Sequence, residues 1–319
     1  MISNDIELAV DLLKMEDIIG FPTETVYGLA GNIYSEKAID TIYRTKQRPS
    51  FNPLIVHIKK IEDLNKVAIE IPESAKILAK KFWPGPLTLL LKKHASVPDR
   101  ITAGKPTVAV RIPNHPVALS LLHQLDFPLA APSANPFSSI SPTSAEHVQN
   151  YFGDKLKMVL DGGVCKAGIE STIVGFDDDE IIIYRLGAIS KEEIENSVGP
   201  VSLLNKNENA PEAPGMLSRH YAPKSTLFLT TNVLEKIKLF SGKKIGLLLF
   251  KKTEKNPAVV CQISLSPSGN LQEAASNLYA ALHELDTMQI DVIIAERFPD
   301  NDLGRTINDR LERASKTHN

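Results

Sequence analysis

The chain has 319 residues, 43% of them hydrophobic and 23% charged, which is enough apolar material to bury a sizeable core without disulfides or a structural metal. Its two cysteines, Cys165 and Cys261, exclude a disulfide framework and a cysteine zinc site. A net charge of −2 gives the whole chain no strong pull toward nucleic acid.

The opening residues, MISNDIELAVDLLKMED, read as an acidic amphipathic stretch rather than a signal peptide, with Ile6, Ala9, Val10 and Leu13 at helical spacing. No apolar run approaches the roughly 18 residues that a membrane helix needs. With so few cysteines, a cytoplasmic protein is expected. Strand-like runs follow at 18–21, 54–58, 87–91, 108–112, 129–131 and 158–160. Helical patterns fall between them at 35–45, 61–67, 73–82, 115–124, 144–152 and 190–196. Residues 171–176 and 181–185 flank the acidic run 177–180 and read as a hairpin. The expectation is an α/β domain around one twisted mixed sheet with flanking helices.

From about 198 to 225 the composition shifts to Pro and Asn without sustained periodicity, as in a linker or long surface loop. Beyond it a strand at 244–250, a helix at 271–285, a strand at 290–295 and a helix at 305–315 predict a small α/β domain with a parallel sheet. The expected division is therefore 1–200, a linker or lid at 201–225, and a small domain at 226–319.

Several familiar sites are missing. The sequence has no GxxxxGK[ST], no GxGxxG after a strand and no GxSxG, and its eight histidines form no HxxxH or HExxH pair. Charge is nevertheless uneven: residues 37–111 hold 15 Lys and Arg against 6 Asp and Glu, whereas residues 151–200 hold 5 against 10. Such a cationic stretch is either a solvated face or a site for an anion such as a nucleotide phosphate.

Four strings are too particular for plain core or loop. Phe21-Pro22-Thr23-Glu24-Thr25-Val26-Tyr27-Gly28 presents hydroxyls and a carboxylate after a strand, although a threonine could simply cap a helix. Lys46-Gln47-Arg48-Pro49, followed by Asn52 and His57, puts two cations at a helix end, able to hold phosphates and a carboxylate. Ala131-Pro132-Ser133-Ala134-Asn135-Pro136 follows a strand, where open α/β sheets place ligands. Asp161-Gly162-Gly163, leading to Gly168-Ile169-Glu170-Ser171-Thr172, allows a ligand to approach the backbone closely. Cys165 lies within this last string and reads as a small packed thiol rather than a nucleophile.

Taken in order, FPTETVYGL, KxRPxxNPLIVH, WPGPLTLLL, VAVRIPNH, APSAN, DGGxCxxGIESTI and YRLGAIS resemble the YrdC-like threonylcarbamoyl-AMP synthase family. PGMLSRHYAP followed by a small α/β domain is similar to its two-domain members, whose second domain is Rossmann-like. The resemblance implies that L-threonine, bicarbonate and ATP give threonylcarbamoyl-AMP, pyrophosphate and water. A downstream transferase would then use the product to modify ANN-reading tRNAs. It further implies a cluster of Lys46, Arg48, Ser133 and Asn135. ATP contacts would come from Arg48, Asn52, Thr107, Ser133, Ser141, Arg185 and Tyr221, with Mg²⁺ carried on the phosphates. Thr25, His57, Arg111, Ala131 and Ser171 would surround the threonine. Two alternatives stay open, each weakened by the sequence. A hydrogenase-maturation carbamoyl-adenylate former needs a cysteine-rich zinc segment that two cysteines cannot supply. An RNA-binding module lacks a basic stripe interleaved with aromatics, so direct tRNA binding is expected to be weak or absent.

Overall fold

The computed structural model describes residues 1–177, 180–204, 214, 216 and 220–316. Asp178, Asp179 and much of the expected lid lie outside this set. Eleven strands build the first sheet: β1 (Ile2–Ser3), β2 (Ile19–Phe21), β3 (Gly28–Asn32), β4 (Ile55–His57), β5 (Leu87–Lys92), β6 (Thr107–Arg111), β7 (Leu129–Ala130), β8 (Val159–Leu160), β9 (Thr172–Asp177), β10 (Glu180–Arg185) and β11 (Ser202–Leu203). Their spatial order is β1-β8-β2-β3-β7-β4-β6-β5-β9-β10-β11. The sheet is mixed: β4 runs parallel to β6 and β5 to β9, while β5–β6 and β9–β10 are antiparallel. The second sheet, β12 (Thr226–Thr230), β13 (Ile245–Leu249), β14 (Val259–Ser264) and β15 (Val292–Glu296), is wholly parallel in the order β12-β15-β13-β14. Expectation and structure agree on an α/β chain with a large mixed sheet and a second, parallel one.

Local chemistry fixes the helices that matter most for the site. The helix Glu36–Lys46 begins where the Ser35 hydroxyl accepts from the Ala38 amide, and it ends at Gln47 in the left-handed region, φ 54°. That turn returns the Arg48 amide to the Tyr43 carbonyl at 2.9 Å, which aims the Lys46–Arg48 corner back at the sheet. Five apolar clusters hold the molecule together. One of them joins the domains: Val26, Ile140, Ile169 and Ala188 pack with Leu227, Leu248, Ala274, Leu278, Tyr279 and Ile307 of the second domain. Removing these surfaces from water at about 25 cal/mol per Å² makes the contact between domains a core rather than a touching of surfaces.

Candidate active site

A pocket of about 550 Å³, its mouth included, opens over one face of the first sheet. Ile55 and His57 both line it, as residues two apart on a strand share a face. The register of β4 with β6 sets Arg111 beside His57. The site also takes in residues at strand ends, among them Ala131 and Ser133 just beyond β7, where the sequence directs attention.

One end is built by the 46–53 turn and the 131–136 segment. Lys46 is buried, and its Nζ donates to the backbone carbonyls of Ser133 and Asn135, each at 2.5 Å. The lysine therefore ties the two segments together and is not itself among the pocket-lining residues. Burial, and then the neighbouring Arg48, hold its pKa well below the usual lysine value. Arg48 does line the pocket. Its Nη2 donates to Asn52 Oδ1 at 2.6 Å and to the Pro53 carbonyl at 2.8 Å, and its Nε donates to the Asn52 carbonyl at 3.1 Å. Burial lowers the Arg48 guanidinium to about 10, so it remains charged at neutral pH. Asn135 donates to the carbonyls of Pro136 and Ser139, both at 2.9 Å, which fixes the loop that carries Ser133.

The opposite end is built around Arg111. Its Nη1 donates to Thr25 Oγ1 at 2.8 Å, its Nη2 lies 2.6 Å from Glu24 Oε1, and its Nε donates to the Gly85 carbonyl at 3.2 Å. Thr23 accepts from the amides of Thr25 and Val26 and donates to the Val26 carbonyl, so it closes the turn that presents Thr25. Burial, and then the positive charge of Arg111, lower His57 to about 3, so its ring is neutral and Nδ1 has no partner among the described residues. Ser171 shares a hydrogen bond with Thr88 at 2.7 Å, and its carbonyl accepts from Arg185 Nη2 at 2.8 Å. Arg185 Nη1 reaches the Pro214 carbonyl at 3.2 Å and so links the pocket wall near Arg48 and Tyr221 to the segment between the domains. From that segment Met216 packs under Ile55, Leu90, Ala109 and Ile173, while Pro214, His220 and Tyr221 line the pocket. Tyr221 has φ 63°, a left-handed backbone that a non-glycine residue keeps only under restraint.

Of the residues singled out in the sequence, Thr25, Arg48, His57, Arg111, Ala131, Ser133, Ser171, Arg185 and Tyr221 come together in this one pocket. Lys46, Asn52 and Asn135 lie directly behind it. Ser141 is fully buried, and its hydroxyl donates to Glu170 Oε1 at 2.6 Å. Thr107 begins β6, at the other end of the strand from Arg111, and faces a separate pocket with Leu90, Lys92 and Phe176. Glu170 and His220 line the site without having been picked out as ligands. Glu170 was visible only as a letter of GIESTI, because its ion-pair partner Arg310 and its donor Tyr279 stand more than a hundred residues away. Cys165 is buried, and burial pushes its thiol up to about 12, which makes it packing rather than a nucleophile.

Among the described residues, the pocket joins three guanidinium groups and one carboxylate over a mixed sheet, in a chain whose sequence carries no P-loop. Escherichia coli YciO shares this fold over 59% of the chain, at 24% identity and a TM-score of 0.52. The model of the Sua5/YciO/YrdC family, described as telomere recombination, matches residues 11–187. That of the threonylcarbamoyl-AMP synthase C-terminal domain matches residues 189–316. The threonylcarbamoyl-AMP synthases of Pyrococcus abyssi and Bacillus subtilis are 39% and 40% identical to it. Those alignments cover 97% and 98% of this chain and 94% of each relative. The crystal structure of P. abyssi Sua5 complexed with L-threonine superposes with a TM-score of 0.90 over 97% of this chain and 94% of that one. The fold is YrdC-like, and the chain belongs to the threonylcarbamoyl-AMP synthase family in its two-domain, Sua5-type form.

Proposed function

We propose that this pocket condenses L-threonine, bicarbonate and ATP to threonylcarbamoyl-AMP, pyrophosphate and water. The observation that carries this reading is that two chemistries line one cavity. Arg111 with Thr25 forms an end suited to an amino acid, while Arg48, Ser133, Arg185 and Tyr221 form an end suited to a nucleotide. Arg111 can hold the threonine carboxylate. Thr25 and Ser171 can read its hydroxyl, and a buried site that hydrogen-bonds a substrate hydroxyl rejects analogues that lack it. The threonine nitrogen, made into a carbamate by bicarbonate, presents an oxygen to the α-phosphorus, and pyrophosphate leaves. This transfer is helped by positioning and by neutralising charge, and it needs no covalent intermediate. Arg48 and Arg185 supply the neutralising charge, and Lys46 and Asn135 hold the Ser133 loop in place.

Mg²⁺ would arrive on the ATP phosphates. The described lining offers one carboxylate, Glu170, whose oxygens already accept from Ser141, Tyr279 and Arg310, and the described residues hold no group of three or more metal-binding side chains. We take residues 1–200 as the catalytic domain, 201–225 as a lid and 226–319 as the second domain. Four observations support the lid: the Arg185–Pro214 bond, the buried Met216, and the presence of His220 and Tyr221 in the pocket. The product would pass to a transferase that modifies tRNA, with little direct tRNA binding by this chain, in the cytoplasm. No described helix is long and apolar enough to cross a membrane.

Paired binding measurements test the division of the pocket. Arg48→Ala should weaken ATP at least about tenfold and threonine far less, and Arg111→Ala should do the reverse. Equal effects of both changes on both ligands would contradict the assignment.

A further inference from the structure

We propose that Arg310, on the last helix of the second domain, is a positioning residue for the nucleotide end of the pocket: it neutralises Glu170 and seats Tyr221. The inference rests on the reading of the pocket as an ATP site and adds a task for the second domain within it.

Arg310 lies on the helix Asp302–Ala314 and is one of the largest fully buried side chains in the molecule. It reaches across the domain boundary in three ways. Its Nε lies 3.0 Å from Glu170 Oε2, its Nη2 donates to the Leu186 carbonyl at 2.5 Å, and its guanidinium stands 4.8 Å from the centre of the Tyr221 ring. The last distance is that of a cation–π contact. Tyr279, from the neighbouring helix Leu271–Thr287, completes the arrangement. Its hydroxyl donates to Glu170 Oε2 at 2.9 Å, and its ring stacks on Tyr221 with centroids 5.6 Å apart. Both targets, Glu170 and Tyr221, line the pocket, whereas Arg310 does not.

The charges give this geometry a consequence. Glu170 is the only carboxylate among the described pocket-lining residues, and it is buried. Asp309, the other anion beside Arg310, also pairs with Arg313 at 3.0 Å. Loss of Arg310 therefore leaves Asp309 a cation and takes from Glu170 its ion-pair partner. Glu170 would then keep the hydroxyls of Ser141 and Tyr279 and the field of Arg185 but lack its ion-pair partner, and this less compensated buried carboxylate would face a ligand that carries several negative charges, in surroundings where water screens poorly. Threonine, a zwitterion, has no net charge to be repelled. The same loss frees the Tyr221 ring on one side, although Tyr279 continues to hold the other. Arg310 thus links the presence of the second domain to the charge of a pocket in the first.

The test uses the full chain, with ATP and threonine affinities measured separately by calorimetry. Wild type must first bind ATP. If it does not, the ATP reading itself fails, and that failure is distinct from failure of this inference. Arg310→Met should weaken ATP about tenfold and threonine by less than about threefold, as expected when one buried charge partner is removed. Adding Glu170→Gln to Arg310→Met removes the stranded charge and should recover most of the ATP affinity. The double variant also serves if Arg310→Met alone does not fold. Unchanged ATP affinity in Arg310→Met would overturn the proposal, as would equal losses for both ligands. A folded double variant that binds ATP no better than Arg310→Met, or more than about tenfold below wild type, would overturn it too.

Discussion

Arg111 and Glu24 meet at 2.6 Å with both side chains buried, at the end of the pocket suited to an amino acid. The carboxylate keeps the guanidinium neutralised and aimed while Thr25 and the Gly85 carbonyl fix its other edges. Breaking a buried pair from one side leaves the other charge stranded. Arg111→Met should therefore lower the unfolding free energy by about 3–5 kcal/mol in urea titrations. Adding Glu24→Gln should restore much of that stability without restoring threonine binding. A double variant no more stable than Arg111→Met would show that the pair does not carry the cost.

Lys46 and Arg48 should both be essential, for different reasons. Arg48 faces the pocket and should act on ATP directly. Lys46 acts through the carbonyls of Ser133 and Asn135, so its loss loosens the loop that presents Ser133. Either change to Ala should cut turnover at least about tenfold, equivalent to about 1.4 kcal/mol in the barrier. Lys46→Ala should in addition lower the melting temperature. Wild-type turnover in both variants, with unchanged circular dichroism, would remove the pair from the mechanism.

These cases show what the sequence could and could not disclose. The strings around Thr25, Lys46–Arg48, Ser133 and Ser171 stood out because polar groups, prolines and glycines interrupt apolar strands, and the structure does gather those strings. The helix Glu73–Phe82 and the strand β5 follow their apolar patterns closely, because each buries one clear face or run. By contrast, β3, with the sequence Gly-Leu-Ala-Gly-Asn, was hidden because glycine and asparagine are poor strand formers and only its neighbours make it a strand. The first strand of the second domain, β12, was hidden by following directly on the linker. Glu170 stood inside one of these strings, but its role could not be read there. A buried carboxylate is explained by Arg310 and Tyr279, 140 and 109 residues away, and no local spacing encodes that meeting.

Acid should destabilise the protein before its carboxylates titrate. Burial, reinforced by Arg111, lowers His57 to about 3, and burial with the stacked His147 lowers His283 to about 3, against an ordinary 6.5. Between those values the unfolded chain takes up protons that the folded one refuses, so stability present above about 6.5 is lost as pH falls toward 3. Urea midpoints should drop steadily from pH 7 to pH 5, and His283→Gln should flatten part of the slope. A flat profile over that range would contradict the buried, neutral placement of these rings.

The second domain should be required for the first to work. Ile140, Ile169 and Ala188 are covered by Tyr279, Leu278, Ile307 and their neighbours. Residues 1–198 keep every strand of the large sheet except β11 but lose that cover together with Tyr221. The fragment should fold with reduced stability, bind ATP weakly and make little product. Full activity and unchanged ATP affinity in the fragment would show the lid and second domain to be dispensable.

The most direct test of the central claim is to incubate the full chain with ATP, L-threonine and radiolabelled bicarbonate and to resolve the nucleotide products. The label should appear in a threonylcarbamoyl adenylate, with one pyrophosphate released per product, only when all three substrates are present, and the yield should fall when Arg48 or Arg111 is replaced by Ala. Pyrophosphate release that ignores threonine, or a nucleotide product that carries no label, would contradict the claim.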